Sequence, residues 1–210
     1  MTLQLEVITT GQLGNNVCVL FDETSKMAVV IDPSFEPQPV LQFIQANELV
    51  VESIWLTHGH FDHFSGIEFL NTNLQVKPKL ALHQGDLELL RDGGGSKHFH
   101  IPIPIPDDPD TYFEDGQELF FETSKVQVRH APGHSHGSVI FYIADLNTAI
   151  CGDVIFYHGV GRTDLAGGNH QLLIESIHKQ VLSLPSKTRL IPGQGEETTV
   201  EEERTNNPFL

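Results

Sequence analysis

The sequence predicts an α/β protein folded as a four-layer αββα sandwich, on three observations. Short apolar runs of β character, bounded by Gly, Asn, Asp or Pro, fill both halves of the chain. Each half follows its strands with helical spacing, and two halves of one plan make two facing mixed sheets with helices outside. The 210 residues suffice for one sizeable core, and no low-complexity tract or linker divides them, so residues 1–210 are expected to form a single domain.

The elements follow in order. Leu3–Ile8, Val17–Phe21 and Met27–Ile31 are strands, and Pro39 to Glu48 is a helix with Val40, Leu41, Phe43 and Ile44 on one face. Ser53–Leu56 is a buried strand that runs straight into Thr57-His-Gly-His-Phe-Asp-His63; a helix follows around Ile67, Phe69 and Leu70. Lys79–Leu82 is a short strand and Gly85–Arg91 a short helix. From Asp92 to Asp110 the rhythm breaks. This stretch holds Gly93-Gly-Gly95, His98-Phe-His100 and the prolines 102, 104, 106 and 109; alternating Ile-Pro excludes a helix or a central strand, so a surface loop with some polyproline character is expected. Loops of this length in a compact domain are usually functional or mobile. The β-pattern resumes in Glu118–Phe121, Val126–His130, Val139–Ile143 and Ala149–Cys151. Leu172–Leu184 has helical spacing, Arg189–Ile191 is a strand, and Thr198–Arg204 is a final helical turn or two.

Twelve Lys plus Arg stand against 28 Asp plus Glu, a formal charge of −16 with no basic cluster. That argues against nucleic acid, whose phosphates need a basic stripe, and against an anionic membrane surface. No apolar stretch approaches the ~20 residues of a membrane span, and the N-terminal residues lack the basic-then-apolar pattern of a signal peptide. Cys18 and Cys151 sit in strand-like apolar runs and read as buried free thiols, which favours a cytoplasmic location. The histidines, 12 in all, are as numerous as Lys plus Arg, and they are clustered.

In His58-x-His60-x-Asp62-His63, residues i and i+2 at a strand end point the same way, and the next two turn the corner toward a second point nearby. Imidazole and carboxylate are ligands suited to Zn, Fe or Mn. A histidine-rich exposed turn is the bland alternative. It fits poorly with four ligand-type residues in six positions directly after a buried strand. Pro132-Gly-His134-Ser-His-Gly137 again follows a strand, and Ile150-Cys-Gly-Asp153 ends another in a carboxylate. Either alone could be a turn histidine or a capping aspartate. Together they add a third imidazole and a carboxylate.

These motifs resemble the metallo-β-lactamase superfamily along nearly the whole chain. The resemblance implies that His58, His60 and His134 hold a first metal, that Asp62 and His63 hold a second, and that Asp153 bridges both. Gly161-Arg-Thr-Asp-Leu-Ala-Gly-Gly168 and the tail from Thr198 to Leu210 are similar to the short glyoxalase II-like hydrolases. That implies zinc-dependent hydrolysis of a small acyl thioester such as S-lactoylglutathione, with Asp62 orienting the nucleophile or holding its proton. A bound metal lowers the pKa of water to about 7, so no Ser or Cys nucleophile is needed.

The pattern breaks at Pro192-Gly-Gln194-Gly195, where the family carries His. An amide oxygen is a weaker donor than an imidazole nitrogen. Gln194 is therefore compatible with a two-metal site completed by Gln194 or water, with one tight site and a weak or empty second, or with an engineered or degenerate variant; the second reading is preferred. The break admits a rival, an enzyme resembling the persulfide dioxygenases, with one Fe(II) on His58, His134 and Asp153. A non-catalytic binding module on a degenerate hydrolase fold is a third reading and would expect more ligand losses. His98 and His100 could cover the site as a lid and His158 could approach substrate, but these and His136 are read in preference as turn or loop histidines, and Asp32 as support for the ligands. Arg162 and Asp164 are expected to lock their loop, and His83, His130, His170 and His178 to be structural or exposed.

Overall fold

The computed structural model describes residues 2–210. Its first sheet takes its six strands in chain order: β1 (Leu3–Thr10), β2 (Asn15–Asp22), β3 (Met27–Ile31), β4 (Val50–Trp55), β5 (Lys79–His83) and β6 (Thr111–Phe113). β1 to β3 are an antiparallel meander; β3 to β6 pair in parallel. The parallel steps need crossovers, which α1 (Gln38–Ala46), α2 (Ile67–Asn73) and α3 (Leu87–Arg91) supply. The second six-stranded sheet contains β7 (Glu118–Phe121), β8 (Ser124–His130), β9 (Val139–Ile143), β10 (Thr148–Gly152), β13 (Arg189–Pro192) and β14 (Thr198–Thr199). β11 (Ile155–Phe156) and β12 (Gly159–Val160) form a small hairpin beside it. α4 (His170–Ser176) runs into a π-helical turn, Ile177–Val181, and α5 (Val200–Asn206) closes the chain.

Three apolar layers separate four structural ones. Val17, Val19, Ala28 and Val30 face α1 and α2 through Val40, Leu41, Ile44 and Leu70. Their alternating neighbours Cys18, Leu20, Val29 and Ile31 face the other sheet, meeting Val128, Val139, Phe141 and Ile150. Ile140, Ala149 and Cys151 point outward to Leu173, Ile177, Val181 and Val200. The period-2 alternation of β-strands produces this layering directly, and it is the αββα order expected. Both thiols are free and buried, in different layers, with pKa values raised by burial. Among the described residues no helix is long and apolar enough to cross a membrane.

Several boundaries differ from the sequence reading. β6, the β11–β12 hairpin and β14 were not expected; each is a two- or three-residue pairing whose partner lies far away or whose strand is too short to show a period. Helix 39–48 ends at Ala46, and the segment Leu172–Leu184 is a short α-helix followed by a π turn rather than one helix. Thr198 and Thr199 pair with β13 before the last helix begins, with Thr199 capping it by accepting from Glu202 N–H.

Candidate metal centre

β4 ends at Trp55, and the backbone leaves the sheet to coil into a 3₁₀ turn at Phe61–His63. His134 comes from the turn after β8, Asp153 from the end of β10, and Gln194 from just beyond β13. Ligand-type residues from both sheets therefore meet at one end of the sandwich. The approach is tight enough to demand glycine twice. Gly133 has φ 131°, and a Cβ there would lie 2.3 Å from the Leu173 nitrogen. At Gly193 it would lie 2.1 Å from Asp153 Oδ1 and 2.7 Å from His63 Cε1.

His134 Nε2 lies 2.8 Å from His60 Nδ1 and 3.2 Å from His58 Nε2. The outer ring atoms fix the tautomers. His134 Nδ1–H donates to the Arg162 carbonyl (2.9 Å). Thr57 Oγ1 donates to Asp32 Oδ2 (2.5 Å) and so accepts from His58 Nδ1–H (3.0 Å). Both Nε2 atoms are thus unprotonated, and that of His134 faces His58 Nε2 and His60 Nδ1. Burial, reinforced by the neighbouring imidazoles, pushes the pKa of His58 well below its ordinary value and that of His60 down to about 3. Three imidazoles crowd their ring nitrogens around one buried point, and His60 Nε2 has no hydrogen-bond partner; a divalent cation is what such a set fits.

The adjoining pocket is carboxylate-rich. Asp153 stands between the two, with Oδ2 3.8 Å from His134 Nε2 and Oδ1 3.3 Å from His63 Nε2. Asp153 Oδ1 is buried without a hydrogen-bond donor, as a metal-ligating oxygen would be. His63 Nδ1–H donates to Asp32 Oδ2 (2.9 Å). Burial disfavours a proton on the far nitrogen of His63, but Asp153, Asp62 and Asp32 outweigh it and raise its pKa well above normal. Desolvation of the largely buried Asp153 side chain opposes its ionisation, yet His63 and the other imidazoles hold its pKa down to about 2. Asp32 is near enough to His58 and His63 to be counted among possible ligands. Its Oδ2 already accepts from Thr57 and His63, so it backs them instead.

Gln194 does not present its oxygen to this pocket. Its Nε2 donates to Asp62 Oδ2 at 2.8 Å, and Asn15 Nδ2 donates to the same oxygen at 3.1 Å. Gln194 thus caps Asp62 with its amide N–H. The 193–195 segment is held there by Asn16, whose N–H donates to the Gly193 carbonyl and whose side chain donates to the Pro192 and Gly195 carbonyls.

Sequence reasoning missed Asn15 and Asp86. Asp86 is buried and accepts from Gly59 N–H (2.9 Å), Ser135 Oγ–H (2.6 Å) and Gly137 N–H (2.6 Å). It ties the loop carrying His58 and His60 to the one carrying His134. Asn15 opens β2 directly after Gly14 and Asp86 follows Gly85 in a 3₁₀ turn, and in sequence both look like ordinary turn residues.

Above the ligand cluster opens a cleft of about 430 Å³, walled by Leu13, Phe99, Ile101, Phe156 and Leu165 with Arg162 at one side. The 92–110 loop is anchored by Phe61 N–H donating to the Gly94 carbonyl. It turns Phe99 and Ile101 toward the cleft while His98 and His100 stay exposed. Arg162 is locked to Asp164 through two hydrogen bonds, as expected, and also lines the cleft. His158 is bound to Glu202 (2.7 Å), and exposed His136 contributes only its carbonyl, to His130. His83 and His130 stack on each other, centroids 4.0 Å apart, a partnership invisible in sequence.

Comparison with known proteins agrees with this geometry. The chain is 30% identical over 209 residues to hydroxyacylglutathione hydrolase GloC of Haemophilus influenzae, covering 99% of this chain and 98% of that one. The crystal structure of BLEG-1, a B3 metallo-beta-lactamase, superposes with a TM-score of 0.91 at 33% identity over 99% of both chains. TTHA1623 in a di-iron-bound form superposes with a TM-score of 0.87 at 37% identity, covering 98% of this chain and all (100%) of that one. The Metallo-beta-lactamase superfamily model matches residues 11–193, and on that match this chain belongs to the superfamily.

Proposed function

We propose that the protein is a metal-dependent hydrolase of acyl thioesters, S-lactoylglutathione or a related acyl substrate. The observation that carries the reading is the convergence of imidazole nitrogens of His58, His60 and His134 with the Asp153 carboxylate beside them, at the floor of an open cleft. That set would hold one zinc, iron or manganese ion tightly. Its relation to GloC supports the thioester, and the di-iron form of TTHA1623 supports iron as an alternative to zinc.

When bound, the metal would supply the Lewis acidity that makes hydroxide from water at neutral pH and polarises a carbonyl. The protein's own groups do the rest. Asp62 Oδ2 is fixed by Asn15 and Gln194, which leaves its other oxygen to orient water or take its proton. Asp32 and Thr57 keep His58 in the ligating tautomer and hold His63 in place. The apolar walls would shed water when a substrate fills the cleft, which would strengthen the polar contacts on the floor.

We further propose that the second position, Asp62 and His63, binds metal weakly or not at all. Gln194 supplies a hydrogen-bond donor there, and Asp62 Oδ2 is already engaged by two amides. Purified protein loaded separately with Zn and Fe(II) should cleave S-lactoylglutathione, followed by free-thiol release, and His58→Ala should abolish it. A chromogenic β-lactam assayed in parallel addresses the chemistry named for BLEG-1. Oxygen consumption with glutathione persulfide by the Fe(II) form, without thioester cleavage, would replace the hydrolase reading by a dioxygenase.

A further inference from the structure

We infer that, among the acyl thioesters proposed above, the cleft prefers neutral, apolar ones over anionic ones, so that thioesters of an uncharged thiol are favoured over those of an acidic peptide such as glutathione; this rests on the thioester-hydrolase reading above. The rim is apolar and open: Leu13 is 51% exposed, Phe99 40% and Ile101 36%. Phe156 and Leu165 continue it toward the floor. These side chains come from three separate segments, the β1–β2 turn, the 92–110 loop and the chain after Asp153, and all turn carbon toward the same space. Isolated exposed apolar residues need no explanation, but a converging group over a reactive site is what recognises an apolar ligand body.

The charges point the same way. Arg162 is the one Lys or Arg lining the cleft among the described residues. It is committed: Nε and Nη2 donate to the two oxygens of Asp164 at 2.7 and 2.8 Å, and its guanidinium lies 6.0 Å from the centre of the Phe99 ring. Asp164 is held down to about 2 by that pairing, so it stays ionised at any working pH. A glutathione moiety brings two carboxylates and one ammonium. Of its two carboxylates, one could reach only the Nη1 that Asp164 leaves free, sharing an already paired guanidinium, and the other would sit unpaired against apolar walls; desolvating an unpaired carboxylate is costly. They would also approach a chain of formal charge −16, whose field repels anions over roughly a Debye length. An uncharged thioester meets none of these costs and buries apolar surface on Phe99, Ile101 and Phe156.

Two non-hydrolysable thioethers with the same hexyl chain test this by binding alone: neutral N-acetyl-S-hexylcysteamine and anionic S-hexylglutathione, titrated calorimetrically into the metal-loaded protein. The neutral ligand should bind about tenfold tighter. Raising the salt concentration should strengthen only the anionic one. Asp164→Asn, at an exposed side chain, frees Arg162 and should narrow the gap by tightening S-hexylglutathione. Phe99→Ala should weaken the neutral ligand about fivefold with metal content unchanged. Equal or tighter binding of S-hexylglutathione, or no binding of the neutral ligand, would overturn the proposal. Hydrolysis of the matching S-hexanoyl thioesters separates this from the function itself. Binding of the neutral thioether without cleavage of either thioester sinks the hydrolase reading alone, whereas preferential cleavage of the glutathione thioester sinks the substrate class alone.

Discussion

Two pockets share the Asp153 carboxylate, and they are prepared in opposite ways. On one side, ring nitrogens of His58, His60 and His134 converge, and burial holds the pKa values of His58 and His60 well below normal, so neither carries a second proton at pH 7. On the other, Asp62 Oδ2 is already taken by Asn15 and Gln194, and His63 is surrounded by carboxylates that favour its protonation. The first pocket needs only desolvation of an incoming ion; the second must also give up hydrogen bonds and a proton. Residue type alone does not make a ligand. What its other hydrogen-bonding atoms are doing decides whether the lone pair is available.

The largest effect should come from His134→Ala, which removes a nitrogen that faces both other imidazoles. Tight metal binding and hydrolysis should both vanish, a loss well beyond the roughly 10–100-fold that follows removal of an outer partner. Elemental analysis after dialysis checks it; retention of one full equivalent would mean that the first pocket is misassigned. Asp86→Ala acts on the same pocket through its framework. It leaves Gly59 N–H, Gly137 N–H and the Ser135 hydroxyl without their acceptor in a buried place, at a cost of about 3 kcal/mol. A domain of this size should lose roughly 6–12 °C in Tm, and metal affinity should fall in proportion to the lost His60–His134 alignment. Unchanged Tm in the metal-free protein would show that water replaces the carboxylate.

Gln194→His probes the second pocket. It removes one of the two amides on Asp62 and adds an imidazole, so a second equivalent should bind at least about tenfold tighter than in the unmodified chain. Two equally tight metals in the unmodified protein would erase the distinction between the pockets. The smallest effect is the pH dependence. A folded pKa depressed to about 3, as at His60, means protons do not compete for the first pocket until the pH falls far below the ordinary histidine value near 6.5. His63 has the opposite shift, so filling the second pocket near neutrality must expel a proton, and uptake there should rise with pH. Metal titrations at pH 6 and 8 should therefore give one constant equivalent and one that grows; a first equivalent that also halves at pH 6 would contradict the burial argument.

The ligand cluster was legible because its residues sit at fixed offsets from strand ends. A buried strand followed by His58-x-His60-x-Asp62-His63 leaves few places for those side chains to go. The layers were legible because alternation in β2, β3, β9 and β10 is a one-dimensional record of two faces. What stayed hidden is what crosses the chain. Asp86 reaches Ser135 and Gly137 some 50 positions on, and Asn15 reaches Asp62 and neighbours Gln194, yet each is a small polar residue in a turn where such residues need no special reason. The 92–110 loop shows the same limit. Its histidines drew attention as candidates to cover the site, whereas Phe99 and Ile101 between and after them face the cleft. Composition marks a loop, but only tertiary placement says which of its side chains turns inward.

Because His58, His60 and His63 follow a strand of one sheet while Asp153 and Gln194 follow strands of the other, the centre lies on the seam between the two halves. A cation held there acts as a rivet. The two sheets otherwise adhere through side-chain packing, and the backbone bridge of Asn15 with Gln194 spans the seam at the same end. Metal should then merge two regions of separate local opening into one cooperative unit. Amide protons of β2 and β10 should exchange at different rates in the stripped protein and at a common, slower rate once the ion is in place.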